Sequence, residues 1–179
     1  AFDGDGDRII VIDENGIEID GDKIIALFSK HFVKPKNQIN QFDVIITVMS
    51  NMGLEKFLTD KLKLKIKRTD VGDINVINEM KKTKASLGGE QSGHIIMSNF
   101  ANTGDGILAA LKISEILTSS KSKASSLFNL YKNYHQEKTN LTYKVKSKKL
   151  IKVVENLKND KSINDINLRS LIRFSGTEP

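Results

Sequence analysis

Asp3-Gly4-Asp5-Gly6-Asp7-Arg8 sets carboxylates at alternate positions, separated by glycines and closed by an arginine. Carboxylates this close repel one another unless a cation neutralises them. Glycine lets the backbone curl tightly enough to aim all of them at one point. Hard oxygen ligands of this kind suit Mg²⁺, which takes one or two carboxylates and keeps waters or substrate phosphate elsewhere. Open coordination positions make such a site catalytic rather than a sealed cage. Arg8 adds a planar fork that could grip a phosphate beside the metal. Two plainer readings compete. Asp-Gly pairs are common in surface turns. An EF-hand calcium loop would start at Asp3 and end at Glu14, but it needs glycine where Arg8 stands. It also needs flanking helices, whereas Ile9-Ile10-Val11-Ile12 reads as a buried strand.

A second loop, Gly88-Gly89-Glu90-Gln91-Ser92-Gly93-His94, puts a carboxylate, a hydroxyl and an imidazole at alternate positions. Glu90 can accept hydrogen bonds from neighbouring sugar hydroxyls, and Ser92 can donate or accept one. His94 could bind phosphate or shuttle a proton. The plainer reading is a glycine-rich hairpin with His94 at a strand entry. Ser92 and His94 are not read as a nucleophile–base pair, because residues two apart on an extended segment face the same way without having to touch. A third loop is Arg173-Phe174-Ser175-Gly176-Thr177-Glu178-Pro179. Hydroxyls around a glycine at a strand end can wrap a phosphate with N–H and O–H donors, and Arg173 would add a charged contact. Ser-Gly-Thr alone is also an ordinary turn.

The elements between the loops alternate strand and helix. Ile9 to Ile12 and Ile17 to Ile19 read as strands around the turn Asp13-Glu14-Asn15-Gly16. Gly21 to Val33 reads as a helix with Ile24, Phe28 and Phe32 on one face, broken at Lys34-Pro35. Asp43 to Val48 is a buried strand, and Ser50 or Asn51 caps a helix over about Gly53 to Lys61. A strand at Leu64 to Arg68 and a helix at Ile74 to Lys82 follow. Short strands at Ala85 to Leu87 and Ile95 to Met97 flank the second loop. Thr103 to Thr118 is a helix whose apolar first half predicts deep burial. This alternation predicts a layered α/β domain over about 20–118. Polar residues 119–126 read as a linker. The remainder reads as a helix to Tyr134, a strand at Thr139 to Lys146, a helix at Lys148 to Leu157 and a strand at Asn167 to Phe174.

Bulk properties narrow the classes. A chain of 179 residues with 39% hydrophobic and 28% charged content can build one or two globular domains. Cysteine is absent, which excludes disulfides and thiolate metal sites and fits a reducing, cytoplasmic compartment. No apolar run is long enough to span a membrane. The net charge of +6 fits an anionic ligand such as a sugar phosphate, or lysines on solvated faces. Nucleic-acid binding is not expected: tryptophan is absent and few aromatics lie among the basic residues. The first residue is Ala1, so the true N-terminus is expected upstream.

Acidic, sugar-type and phosphate-type loops, in that order on an α/β background, resemble the α-D-phosphohexomutase superfamily. Supporting stretches are Thr47-Val48-Met49-Ser50-Asn51-Met52-Gly53, Val71-Gly72-Asp73 and Thr103-Gly104-Asp105-Gly106. The loop Gly89-Glu90-Gln91-Ser92-Gly93-His94 is similar to that of bacterial phosphoglucosamine mutases; phosphomannomutase/phosphoglucomutase relatives more often carry methionine at Gln91.

The resemblance implies a mixed-sheet three-layer α/β domain plus a smaller α+β C-terminal domain, truncated at both ends. Residues 1–19 would end a second domain, 20–118 form the third and 127–179 make up most of a fourth. It implies a cytoplasmic enzyme that interconverts glucosamine 6-phosphate and glucosamine 1-phosphate through a phosphoserine and a bisphosphate. Asp3, Asp5 and Asp7 would hold Mg²⁺, and Arg8 would steady the transferring group. Glu90 and Ser92 would hold sugar hydroxyls; Arg173, Ser175, Gly176 and Thr177 would clamp the distal phosphate. His94 would be an acid/base or a phosphate ligand. Glucosamine 1,6-bisphosphate or glucose 1,6-bisphosphate would activate the enzyme. The family's phosphoserine loop is not among these residues, so the partner would be the N-terminal domains of the same protein, and this chain alone is expected to be inactive. A homodimer is compatible with the resemblance. Relatives usually carry a basic residue where Ile74 stands, with Lys67 or Arg68 as nearby substitutes. The alternatives are a phosphomannomutase/phosphoglucomutase, or a sugar-phosphate or metal-binding module without catalysis.

Overall fold

The computed structural model describes residues 1–35, 41–142, 144, 147–159, 169–172 and 174. The chain divides into two compact units, residues 1–135 and 136–179. In the first unit, β1 (Val11–Ile12) and β2 (Glu18–Ile19) form an antiparallel hairpin behind the acidic loop. Next come α1 (Gly21–Phe32), β3 (Val44–Thr47) and α2 (Met52–Lys56), which continues through a wider π turn over Phe57–Lys61. Then follow β4 (Ile66–Thr69), α3 (Asp73–Thr83), β5 (Leu87–Gly89), β6 (Ile95–Met97), α4 (Gly106–Ser120) and α5 (Ala124–Phe128).

The main sheet has the order β4-β3-β5-β6. β3 runs parallel to β4 and β5, and β6 closes the edge antiparallel to β5. All residues of β3 are buried, as a central strand covered on both faces requires. Its side chains alternate between two apolar clusters. Ile45 packs with Val76, Met80, Ala85 and Ile96 on the α3 side. Val44 and Ile46 join the larger cluster with Ile24, Phe28, Leu54, Ile113 and Phe128. The result is the expected three-layer arrangement with a mixed sheet. Gly88 and Gly89 let the helices approach β5 closely: a Cβ on Gly88 would lie 2.4 Å from Met80 Sδ, and one on Gly89 would lie 3.2 Å from Ile25 Cδ1.

Three expectations need correction. The run Ile9 to Ile12 is not a buried strand. Only Ile9 is buried, and Ile10 and Ile12 are 46% and 63% exposed, because β1 pairs with β2 alone and nothing among the described residues covers its outer face. The first half of α4 is not deeply buried either. Ala109, Ile113 and Ile116 form its inward stripe, while Ile107 and Leu111 are 58% and 63% exposed. Finally, the compact unit continues past the polar stretch 119–126. Leu127 and Phe128 are buried in the main core, so residues 124–128 fold with the unit instead of linking it to the next.

The end of this unit is also held by polar contacts. Asn51 caps α2 by accepting the Gly53 N–H at 2.8 Å. The same side chain accepts the Tyr134 N–H at 2.9 Å and donates to the Tyr134 carbonyl at 2.8 Å. In turn the Asn51 N–H donates to Asp22 Oδ2 at 2.7 Å, and Asp22 has no exposed surface. Burial, helped by nearby Asp20, pushes the Asp22 carboxyl up to about 6, against the Asn51 N–H, Ser50 and Arg68. In the unfolded chain that carboxyl titrates near its free value of about 3.9. The folded state therefore holds the proton more tightly. Stability from the protonated form is complete below about pH 4, falls as the pH rises through about 6, and is then lost, by up to about 3 kcal/mol. Asp22→Asn stays neutral, so its stability relative to wild type is expected to rise between pH 4.5 and 8. Urea unfolding midpoints at the two pH values check this; a difference independent of pH would show that Asp22 does not titrate in that window.

In the second unit, α6 (Lys148–Asn159) is an amphipathic helix with Leu150, Ile151 and Val154 half-buried, capped by the Ser147 hydroxyl on the Leu150 N–H. Residues 139–142 form no strand, and the rest of the strand expected over 139–146 lies largely outside the described residues. Residues 169–172 and 174 form no strand either, and 167, 168 and 173 of the strand expected over 167–174 lie outside the described residues. Arg173, Ser175, Gly176 and Thr177 all lie outside the described residues.

Candidate metal and sugar loops

The acidic loop curls back on itself. The Gly6 N–H donates to the Asp3 carbonyl at 3.2 Å, and Gly6 takes φ +75, a left-handed conformation that glycine adopts without strain. One oxygen from each of Asp3, Asp5 and Asp7 then lies within 4.8 Å of the others. The Arg8 N–H donates to Asp3 Oδ1 at 3.1 Å. The Arg8 side chain is about half exposed and leans on its own loop, with Nε 3.7 Å from Asp3 Oδ2 and 3.9 Å from Asp7 Oδ1.

The crowding shows in the acidities. Loss of solvent pushes the Asp3 carboxyl up, but the Arg8 N–H, Asp7, the Asp3 N–H and the Arg8 charge together hold it below the usual carboxylate range. Asp7 moves the other way: desolvation and its neighbour Asp3 raise it, against the pull of His94. Asp7 Oδ1 accepts no hydrogen bond. Converging oxygens, mutual repulsion and an unused carboxylate oxygen are what a divalent cation would relieve, so the donor set fits Mg²⁺.

The sugar loop is built onto this one. Glu90 to Gly93 is a tight turn, closed by the Gly93 N–H on the Glu90 carbonyl at 3.1 Å with Gly93 at φ +91. The Ile9 N–H donates to the Gly93 carbonyl at 3.1 Å, and Arg8 and His94 form an antiparallel bridge. The Gly21 N–H at the start of α1 donates to the Gln91 carbonyl at 2.9 Å. Thus the two loops, far apart in sequence, form one backbone assembly. The turn Thr103-Gly104-Asp105-Gly106 closes it from below: Asp105 caps α4 on the Leu108 N–H, and the Gly106 N–H donates to the Gly6 carbonyl at 2.9 Å.

The side chains of the sugar loop differ in exposure. Ser92 is exposed. Glu90 is only 7% exposed, and its Oε1 accepts the Gly72 N–H at 2.9 Å, so only Oε2 stays outside that bond. His94 is 1% exposed. Its Nδ1 lies 3.1 Å from Asp7 Oδ2, and its Nε2 edge abuts Gly104, where a Cβ would come within 2.4 Å. Ser92 and His94 do not pair. Neither basic substitute for Ile74 is free. Lys67 pairs with Glu79 at 2.7 Å, and Arg68 binds Glu55 at 2.6 Å together with the Thr47 and Ser50 carbonyls. Ile74 itself is 66% exposed. Two residues not singled out from sequence shape the site: Gly72, which orients Glu90, and Gly104, which seats His94. Both lie in glycine motifs whose use of glycine was the available signal.

The family model for phosphoglucomutase/phosphomannomutase, alpha/beta/alpha domain III, matches residues 20–134. A phosphoglucosamine mutase of Wolinella succinogenes is 43% identical over 179 residues, covering 99% of this chain and 39% of its own length. A phosphoglucomutase/phosphomannomutase family protein from Burkholderia thailandensis superposes with a TM-score of 0.62 at 26% identity, over 73% of this chain and 28% of that one. Aspergillus fumigatus N-acetylphosphoglucosamine mutase, solved in complex with GlcNAc-6P and magnesium, gives a TM-score of 0.55 at 20% identity, over 73% of this chain and 34% of that one. The chain therefore spans about two-fifths of the length of the curated relatives it matches, 39% in the Wolinella case. With the matched region covering most of the chain and its mixed sheet laid out between helical layers, the chain belongs to the phosphoglucomutase/phosphomannomutase family and carries its α/β/α domain III.

Proposed function

We propose that the protein carrying this chain is a phosphoglucosamine mutase. It interconverts glucosamine 6-phosphate and glucosamine 1-phosphate through an enzyme phosphoserine and a sugar bisphosphate, in the cytoplasmic synthesis of cell-wall precursors. The observation that carries this reading is the fusion of the acidic loop and the Glu90–His94 loop into one assembly, which sets a cation site beside a sugar-type loop. The names of the relatives support the amino-sugar substrate.

Asp3, Asp5 and Asp7 would hold Mg²⁺, which, when bound, neutralises charge on the phosphoryl group in transfer. The magnesium complex of the Aspergillus relative supports this choice. Phosphoryl transfer needs positioning and electrostatics more than covalent help. Arg8, half exposed at the rim of the acidic loop, is free to swing its guanidinium from Asp3 to a transferring phosphate. Glu90, braced by Gly72, offers its remaining oxygen to sugar hydroxyls, and exposed Ser92 offers a second contact. We assign Arg173, Ser175, Gly176 and Thr177 to the phosphate that is not reacting, whose binding energy orients the reacting end. The phosphoserine comes from N-terminal domains of the same protein, and a hexose 1,6-bisphosphate serves as activator.

Turnover of glucosamine 1-phosphate, glucose 1-phosphate and mannose 1-phosphate by the full-length protein, in Mg²⁺ with a catalytic sugar bisphosphate, tests the reading. The expected result is a kcat/KM for the glucosamine compound at least about tenfold above the others, or about 1.4 kcal/mol in the transition state. Equal or better rates on the other sugars would overturn the amino-sugar assignment. No rate on any of them would overturn the mutase.

A further inference from the structure

We propose that Asn51 is a positioning residue for the phosphate loop: its side-chain amide clasps Tyr134 and fixes the point from which the chain leaves the first unit toward Arg173, Ser175, Gly176 and Thr177. This rests on the reading of those four residues as the clamp for the phosphate that is not reacting.

The amide is used at both ends. Oδ1 accepts the Gly53 N–H at 2.8 Å and the Tyr134 N–H at 2.9 Å, while Nδ2 donates to the Tyr134 carbonyl at 2.8 Å. A flipped amide would set its NH₂ against two N–H donors, so the network admits one orientation. Capping α2 needs only an oxygen, which serine or aspartate supplies as well. Holding both backbone groups of Tyr134 needs an acceptor and a donor on one side chain, and an amide has both. Asn51 is itself held from two sides. It is 2% exposed, and its N–H donates to Asp22 Oδ2 at 2.7 Å. Arg68 binds the Thr47 and Ser50 carbonyls just before it. The segment it grips lies close on α2 and α1. A Cβ on Gly53 would stand 2.4 Å from the Lys132 carbonyl oxygen, Lys23 Nζ donates to the Tyr131 carbonyl at 2.5 Å, and the Tyr131 ring stacks on Phe57. Tyr134 stands two residues before the second unit begins at Gln136.

The place of Asn51 in the fold gives the clasp its use. β3, β4 and β5 run parallel, and the loops beyond their carboxyl ends carry Asn51, Gly72 and Glu90. Open α/β sheets bind ligands at that edge. The exit of the chain is therefore fastened, within the first unit, to the edge that holds the sugar loop. Without the clasp, the residues after Tyr131 add to the tether that leads to 173–177. A longer tether lowers the effective concentration of the clamp at a substrate already held by Glu90.

Turnover of glucosamine 1-phosphate by the full-length protein tests this. Asn51→Ser and Asn51→Asp keep a capping oxygen and lose the donor to Tyr134. Both are expected to raise KM about 10- to 100-fold, as Arg173→Gln does. Mn²⁺ affinity at the acidic loop, followed by electron paramagnetic resonance, should stay at the wild-type value, because the clasp does not touch that loop. Combining Asn51→Ser with Arg173→Gln should add little to Arg173→Gln alone, since both act through one clamp. Wild-type KM in a folded Asn51 variant, additive effects in the double variant, or a parallel loss of Mn²⁺ affinity would overturn the clasp and leave the phosphate loop standing. Wild-type KM in Arg173→Gln would instead overturn the reading of the phosphate loop. If Asn51→Asp unfolds beside Asp22, Asn51→Ser decides alone.

Discussion

Asp5→Asn in the full-length protein is expected to lower mutase kcat/KM by about a thousandfold or more while leaving thermal stability unchanged or slightly raised. A metal that polarises a transferring phosphoryl group contributes several kcal/mol to the transition state, and about 4 kcal/mol corresponds to roughly a thousandfold in rate. Asp5 is the clean position for this substitution. Asp3 accepts the Arg8 N–H and Asp7 faces His94, so changing either would also disturb the backbone assembly; Asp5 is held by neither contact. Among the influences that raise the Asp7 carboxyl, after burial and Asp3, is the charge of Asp5, so its removal relieves repulsion in the folded state. Removing divalent cations with a chelator should reproduce the loss in wild type and add nothing to the variant. An Asp5→Asn enzyme that keeps more than a tenth of wild-type kcat/KM, or that still responds to chelation, would sink the assignment of Asp5 to the cation.

The chemistry was most legible where local rules act over a few residues. Alternating Asp and Gly can be read as a cation loop from charge repulsion and backbone freedom, and residues 3–7 do converge. The run Asp43 to Val48 can be read as a buried strand because Val44-Ile45-Ile46 is continuously apolar, and β3 is buried throughout. What could not be read was pairing at a distance. Nothing local in Gly-His at 93–94 tells that the ring turns to Asp7, or that the carboxylate of Glu90 rests on the Gly72 N–H. Apolar content misled for the same reason. Ile10, Ile12, Ile107 and Leu111 are apolar enough for a core, yet burial depends on which surface is packed against them, and none among the described residues is. The polar stretch before Leu127 misled in the opposite sense, because two apolar residues beyond it suffice to hold the chain on the unit. Lys67 and Arg68 looked available as basic contacts, but Glu79 and Glu55 lie across from them in the fold.

Gly93→Ala is expected to be the most damaging single methyl in the assembly, costing roughly 3–5 kcal/mol. The residue has φ +91, which an L side chain adopts at a cost of about 1–3 kcal/mol. Its Cβ would also stand 2.2 Å from the Ile9 carbonyl oxygen, far inside contact distance. That neighbour is backbone and is fixed in place, since the Ile9 N–H already binds the Gly93 carbonyl. Relief requires the two loops to part, and overpacking of this kind adds about 1–3 kcal/mol. For a domain of this size the sum lowers Tm by roughly 10 °C or more. Gly4→Ala is the matched control. A Cβ there meets nothing within 4 Å, so its effect on stability should be within about 0.5 kcal/mol of none. Gly93→Ala should also lose Mn²⁺ affinity, because the Ile9–Gly93 contact it breaks adjoins Arg8 and the acidic loop. If its Tm falls no further than that of Gly4→Ala, the metal and sugar loops are not locked together at Ile9 and Gly93.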